Sequence, residues 1–219
     1  MSLGRLLPRR PRPVATPSFW NTSVGIDNRQ EPAAARRASL ATLQPLEGDR
    51  PITARVIETG RLSIVACPLE VADALVGNRA EAERLARVSL PAGWPDPELL
   101  GFLPVYSGEL RTRPDALGYG VWLLIDRDTR MIVGSAGFQG LPDADGEIEI
   151  GYGIDPSQRR QGYGTEAVCA LLAWGLDQPG VVRVIAHCDL GNTDSIGVLS
   201  KAGFRADGEK DGLSRFVAP

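Results

Sequence analysis

Histidine, cysteine, methionine and lysine are all scarce in this chain. One histidine, three cysteines and two methionines occur in 219 residues, and lysine stands only at positions 201 and 210. A single histidine leaves no imidazole cluster for a metal, and Cys67, Cys169 and Cys188 are too far apart for the short ligand spacings of zinc sites. The same thiols offer no disulfide framework and read as buried cysteines of a reducing compartment. No window approaches the about 18 apolar residues that a membrane span needs. The early arginines Arg5, Arg9, Arg10 and Arg12 are not followed by the apolar segment of a secretory signal. A net charge of -3 gives no global pull toward nucleic acid. The expectation from these absences is a cytoplasmic chain with no metal, no membrane association and no nucleic-acid partner for its folded part.

What is present divides the chain in two. Residues 1 to 50 are rich in proline, arginine, alanine and serine without hydrophobic periodicity, and Pro8, Pro11, Pro13 and Pro17 oppose helix formation. They are expected to form a disordered tail. Residues 51 to 219 carry the pattern of one domain, and an apolar content of 43% can fill its core. Arg61 to Cys67 alternates like a strand, and Pro68 suits the start of a helix. Leu69 to Leu90 has helical periodicity interrupted at Gly77-Asn78. Asp96 caps a further helix with Leu99, Leu100, Leu103 and Tyr106 on one side, and 120–126 and 131–138 read as two strands. Trp94, in a turn bounded by Pro91 and Pro95, reads as a core anchor. The expected fold class is α+β, a layered structure in which a mixed sheet is flanked by helices.

The densest information lies between Gly146 and Ala167. Glu147 and Glu149 alternate with Ile148 and Ile150, so the two carboxylates share one face of a strand. Gly151 and Gly153 then fall inside that strand, where glycine often marks a bulge or a close approach of ligand to backbone. Arg159-Arg160-Gln161-Gly162-Tyr163-Gly164-Thr165 comes next, and opens a helix whose apolar stripe is Val168, Leu171, Leu172 and Gly175. The first turn of a helix has about four N–H groups without intrahelical partners and the positive end of the helix dipole. Glycines without Cβ and arginines with forked donors complete an anion site. After a β-branched strand over 181–189, the segment Asn192 to Gly203 reads as a short helix capped at its start by Asn192 to Asp194 and ended by Gly203.

Two other phosphate-binding loops fit these residues less well. Gly162-x-Gly164-x-x-Ala167 satisfies a dinucleotide fingerprint, with Asp189 as its ribose-binding acid. However, Pro156 to Gln161 separate the strand from the loop, the strand alternates instead of being apolar on both faces, and Asp189 lies 27 residues past Gly162, beyond the usual spacing of about 20. A P-loop is excluded because no Gly-Lys-Ser/Thr comes after the loop.

Arg159-x-x-Gly162-x-Gly164 and Asn192-x-x-Ser195-x-x-Val198-Leu199-x-Lys201-x-Gly203-Phe204 together resemble the acyl-CoA pyrophosphate loop and the later motif helix of the GNAT acetyltransferase superfamily. Glu149-Ile150-Gly151-Tyr152 ahead of Asp155-Pro156 is most similar to the branch containing the ribosomal-protein N-terminal acetyltransferases. The resemblance spans roughly residues 54 to 205. It implies a mixed, mostly antiparallel sheet of about six to seven strands, splayed at the acyl-CoA site. It also implies acetyl-CoA as cosubstrate, and an amine acceptor that is a small molecule or a protein N-terminus, in a monomer or homodimer. The residues it assigns to acetyl-CoA are Tyr152, Gly153, Ile154, Arg159, Arg160, Gln161, Gly162, Tyr163, Gly164, Thr165, Asn192 and Ser195, with a backbone N–H of 152–154 facing the developing oxyanion.

Acyl transfer to an amine adds one requirement. The amine is mostly protonated at neutral pH, so a base must take its proton. Glu149 is the first candidate and Glu147 the second, for direct transfer in a ternary complex without a covalent acyl-enzyme. Many superfamily members carry a tyrosine where this chain has Leu199, which leaves Ser195, Tyr152 or water to protonate the leaving thiolate. That departure favours the alternative of a noncatalytic acyl-CoA-binding sensor or interaction module. His187 reads as a structural residue of its strand.

Overall fold

The computed structural model describes residues 39–43 and 52–219. The expected tail therefore lies mostly outside the described residues, but its segment Ser39–Leu43 forms a first strand, β1. Then come β2 (Ile52–Glu58), β3 (Leu62–Ala66), α1 (Leu69–Gly77), α2 (Arg79–Ala86), α3 (Pro97–Thr112), β4 (Val121–Asp126), β5 (Ile132–Phe138) and β6 (Glu147–Ile154). The chain closes with α4 (Tyr163–Leu176), β7 (Arg183–Asp189), α5 (Thr193–Lys201), β8 (Arg205–Lys210) and β9 (Leu213–Ala218). Two short 3-10 turns stand at Pro114–Ala116 and Pro156–Gln158.

The strands form one sheet in the order β1-β2-β3-β4-β5-β6-β7-β9-β8. Every neighbouring pair is antiparallel except β6 and β7, which run parallel. A parallel neighbour needs a crossover, and α4 supplies it. The sheet buries both faces in its centre: β4 and β5 are buried at every position. On one face α1, α2 and α3 cover Ala54, Val56, Val65, Val121, Leu123 and Ile125. On the other, α4 and α5 cover Ile64, Trp122, Leu124, Phe138, Ile148, Ile150 and Tyr152. Gly175 lets α4 approach closely, since a Cβ there would stand 3.1 Å from Ile148 Cδ1 and from Phe138 Cζ.

The element types expected between residues 61 and 203 are all present. Gly77-Asn78 does break the long helical pattern: the Asn78 side chain accepts from Glu81 N–H and starts α2. Asp96 caps α3 through Leu99 N–H at 2.8 Å. Trp94 is buried in the core beneath α3. Leu100 does not share the face of Leu99 and Leu103 and is 36% exposed. Successive helical positions diverge by about 100°, so the buried face of α3 is set by Leu99, Leu103, Tyr106 and Leu110.

The sheet has nine strands where about six to seven were expected. The additional strands are edge strands, which do not alternate cleanly. All of β8 is exposed, so it carries no hydrophobic signature and exists through its pairing with β9. The turn between them does carry a signal, Asp211-Gly212, with φ of 53° and 81°. Two positive φ values in an Asp-Gly pair match the hairpin turn that suits right-twisted strands.

Candidate functional site

The site is built where β6 parts from β7. Their parallel register covers Glu147 to Glu149 only, whereas β6 stays paired with β5 from Ile150 to Ile154 without a register shift. The glycines of β6 thus do not produce a bulge on the β5 side, as the sequence suggested; the irregularity is an opening on the β7 side. Gln139 N–H donates to Glu149 C=O and Asp155 N–H to Val133 C=O, so the odd-numbered residues of β6 bond to β5. By the alternation of an antiparallel ladder, the N–H groups of Tyr152 and Ile154 face the opening. Ile154 C=O, on the same side, accepts from Arg159 Nε at 3.1 Å, which draws the loop after β6 back against the strand.

That loop leads to the N-terminus of α4. The first intrahelical bond runs from Glu166 N–H to Gly162 C=O, so the N–H groups of Tyr163, Gly164 and Thr165 precede it and have no intrahelical acceptor. Gly162 supplies no side-chain cap and adopts φ 82°, and Arg160 also sits at positive φ, 60°. The loop residues expected to hold an anion, from Arg159 to Thr165, are therefore brought together at an uncapped helix start.

A residue that sequence reasoning missed holds this loop. Arg61, between β2 and β3, donates from Nη1 to Gln161 C=O at 2.6 Å and from Nε to Glu166 Oε2 at 2.8 Å. Its guanidinium lies 4.6 Å from the Tyr163 ring centroid. Glu166 is also bonded by Thr59 Oγ1 and the Arg61 N–H, and Tyr163 donates its hydroxyl to Asp126 at 2.7 Å. Burial and this carboxylate push the Tyr163 phenol up to about 12, which keeps it a donor. No local pattern marks Arg61, because its partners lie about a hundred residues away; a glutamate in the first turn beside an anion site was the one available hint. We expect Arg61→Ala to weaken acetyl-CoA binding by about 1.5–3 kcal/mol, the range for a hydrogen bond to a charged group. The variant frees the loop and removes the guanidinium that faces Glu166, and calorimetry would read the change.

On the sheet face opposite α4, the two carboxylates of β6 have different surroundings. Glu147 Oε1 is 2.9 Å from Arg215 Nη2 and 3.5 Å from Arg183 Nε, so two guanidinium groups compete for it. Among the described residues no arginine pairs with Glu149: its Oε1 accepts from Gln139 Nε2 at 3.0 Å and stands 3.0 Å from His187 Nδ1. His187 is thus placed against the first candidate base, and its Nε2 is buried with no hydrogen-bond partner.

On the other face, Tyr152 hydroxyl is 3.2 Å from both Ser195 C=O and Ser195 Oγ, and joins β6 to α5 across the opening. Burial raises the pKa of this phenol well above its ordinary value. Asn192 Oδ1 accepts from Ser195 N–H at 3.0 Å and serves as the cap of α5, and Leu199 is buried in the core.

Residues 68–205 match the family model for an acetyltransferase (GNAT) domain. The chain belongs to the GNAT acetyltransferase family. It is 32% identical over 149 residues, 68% of this chain and 89% of the relative, to the uncharacterized N-acetyltransferase YjdG of Bacillus subtilis. Among solved structures it is similar in fold to RimL, a ribosomal L7/L12 alpha-N-protein acetyltransferase in complex with coenzyme A. That match has a TM-score of 0.54 at 18% identity, covering 74% of this chain and 97% of that one. A second neighbour is the microcin C7 self-immunity acetyltransferase MccE in complex with acetyl-CoA and AMP, with a TM-score of 0.51 at 15% identity, covering 73% and 93%. The sheet with a parallel pair opened at β6 and β7 is the GNAT fold of this acetyltransferase. No helix among the described residues is long and apolar enough to cross a membrane.

Proposed function

We propose that the protein transfers an acetyl group from acetyl-CoA to a primary amine, a small molecule or a protein N-terminus, by direct attack in a ternary complex. The observation that carries this reading is Glu149, a carboxylate held by Gln139 and His187 with no arginine partner among the described residues, on the strand that opens from β7. Two fold neighbours are complexes with coenzyme A or acetyl-CoA, and the residues present fit such a ligand. The amides of Tyr163, Gly164 and Thr165, with Arg159 and Arg160, would receive the pyrophosphate, and the opened edge of β6 would receive the pantetheine arm by main-chain bonds. When bound, acetyl-CoA supplies the activated acyl group, and the protein's own groups orient the acceptor and move its proton.

Glu149 Oε1 is occupied by its two neighbours, which leaves Oε2 to take a proton from the acceptor ammonium. The neutral amine then attacks the thioester carbonyl. An N–H on the open edge, from Tyr152 or Ile154, donates to the oxygen as its charge develops. The thiolate departs, with Ser195 and Tyr152 as the nearby hydroxyls that could return a proton. Glu147 is the weaker candidate, because two guanidinium groups already occupy its carboxylate.

The test is turnover with a panel of primary amines and N-terminal peptides, read by thiol release. Acceptor-dependent release supports the transferase reading. Tight acetyl-CoA binding with no release on any acceptor would favour the sensor instead.

A further inference from the structure

The imidazole beside Glu149 is a group that the proposed chemistry leaves unused. His187 lies on β7, two residues beyond Ile185, the register partner of Glu149. Its side chain is 10% exposed, with Nδ1 directed to Glu149 Oε1 at 3.0 Å. A carboxylate at that distance fixes the tautomer, so Nδ1 carries the hydrogen and donates it. Gln139 Nε2 donates to the same oxygen from β5. The two donors restrict rotation of the carboxylate and aim Oε2 away from both.

The neighbouring carboxylate shows the contrast. Glu147 is held by Arg215 and Arg183, whereas the contacts to Glu149 come from Gln139 on β5 and His187 on β7. Glu149 is thus clamped from the strands on either side of its own. Nε2 of His187 is buried with no partner among the described residues, so Nδ1 is the end of the ring that holds the carboxylate.

We propose that His187 is a positioning residue that holds Glu149 for acceptor deprotonation through its Nδ1 contact. The proposal rests on Glu149 being the base. His187 makes no bond to substrate in this scheme. The proton removed from the acceptor goes to Glu149 Oε2.

The experiment measures kcat and the KM for acetyl-CoA for the full-length wild type and for Glu149→Gln, His187→Ala and His187→Asn. His187→Asn keeps a donor near the Nδ1 position. His187→Ala should lower kcat about 10-fold or more, the scale on which misplacing a reacting group is felt, with the KM for acetyl-CoA within about twofold. His187→Asn should recover most of kcat. In the Glu149→Gln background, either His187 change should add nothing. Undiminished kcat in His187→Ala, or no recovery in His187→Asn, would overturn the proposal while leaving the base assignment intact. Full activity of Glu149→Gln would overturn the base assignment itself. If His187→Ala does not fold, as read by thermal melting, His187→Phe, which keeps a ring without the donor, takes its place.

Discussion

Replacing Gly162 with valine is expected to abolish measurable acetyl-CoA binding. Gly162 sits at φ 82°, a region where a β-branched residue is strained by about 1–3 kcal/mol. Its Cβ would also stand 3.2 Å from Arg61 Nη2, so the change pushes on the cation that ties the loop to Glu166. Relief of either conflict turns the first-turn amides of α4 away from a common centre. Losing two hydrogen bonds to a charged group, at about 1.5–3 kcal/mol each, removes roughly 3–6 kcal/mol. At about 1.4 kcal/mol per tenfold in affinity, that exceeds a hundredfold. Calorimetry with acetyl-CoA is the measurement, beside Arg159→Ala, which should bind more weakly than wild type but detectably. Unchanged affinity in the valine variant would show that the anion is bound elsewhere. Saturable binding of NAD in place of acetyl-CoA would restore the dinucleotide reading of the same glycines.

Glu149→Gln is expected to lower the maximal rate by roughly 100-fold, the lower end of what general-base catalysis contributes, while acetyl-CoA affinity stays nearly the same. The amide keeps the shape and can still bond to its neighbours, but its exposed oxygen is no longer a useful base. The deficit should shrink as pH rises, because more of the acceptor is then neutral without help. Glu147→Gln is the internal control. Its carboxylate lies two residues away on the same face but is committed to Arg215 and Arg183, so its replacement should disturb packing between β6, β7 and β9 more than the rate. Loss of rate in the Glu147 variant alone would exchange the two roles. Loss in neither would leave the proton to water.

The parts of the site that could be read from the chain are those made by local rules. An uncapped helix start after Arg159 to Gly162 needs only a strand, a glycine and a helical stripe within about twenty residues, and Tyr163 to Leu176 forms that helix. Asn192 caps α5 and Gly203 ends it with φ 93°, as their positions suggested. The alternation that puts Glu147 and Glu149 on one face is a property of any strand.

Three features needed the folded chain, and each depends on groups distant in sequence. Glu147 and Glu149 are equivalent in the strand pattern, and pairing with β7 and β9 separates a carboxylate held by Arg183 and Arg215 from one held by Gln139 and His187. His187 looks like an ordinary strand residue until parallel pairing sets it beside Glu149. The loop's anchor, Arg61, comes from the start of the domain. The chain by itself thus determined the family, the helix start that can bind an anion and the pair of candidate bases, because backbone periodicity and capping act over a few residues. Tertiary structure decided which candidate carboxylate is paired with arginines and what holds the loop, because hydrogen-bond and charge partners are chosen by the sheet's order in space.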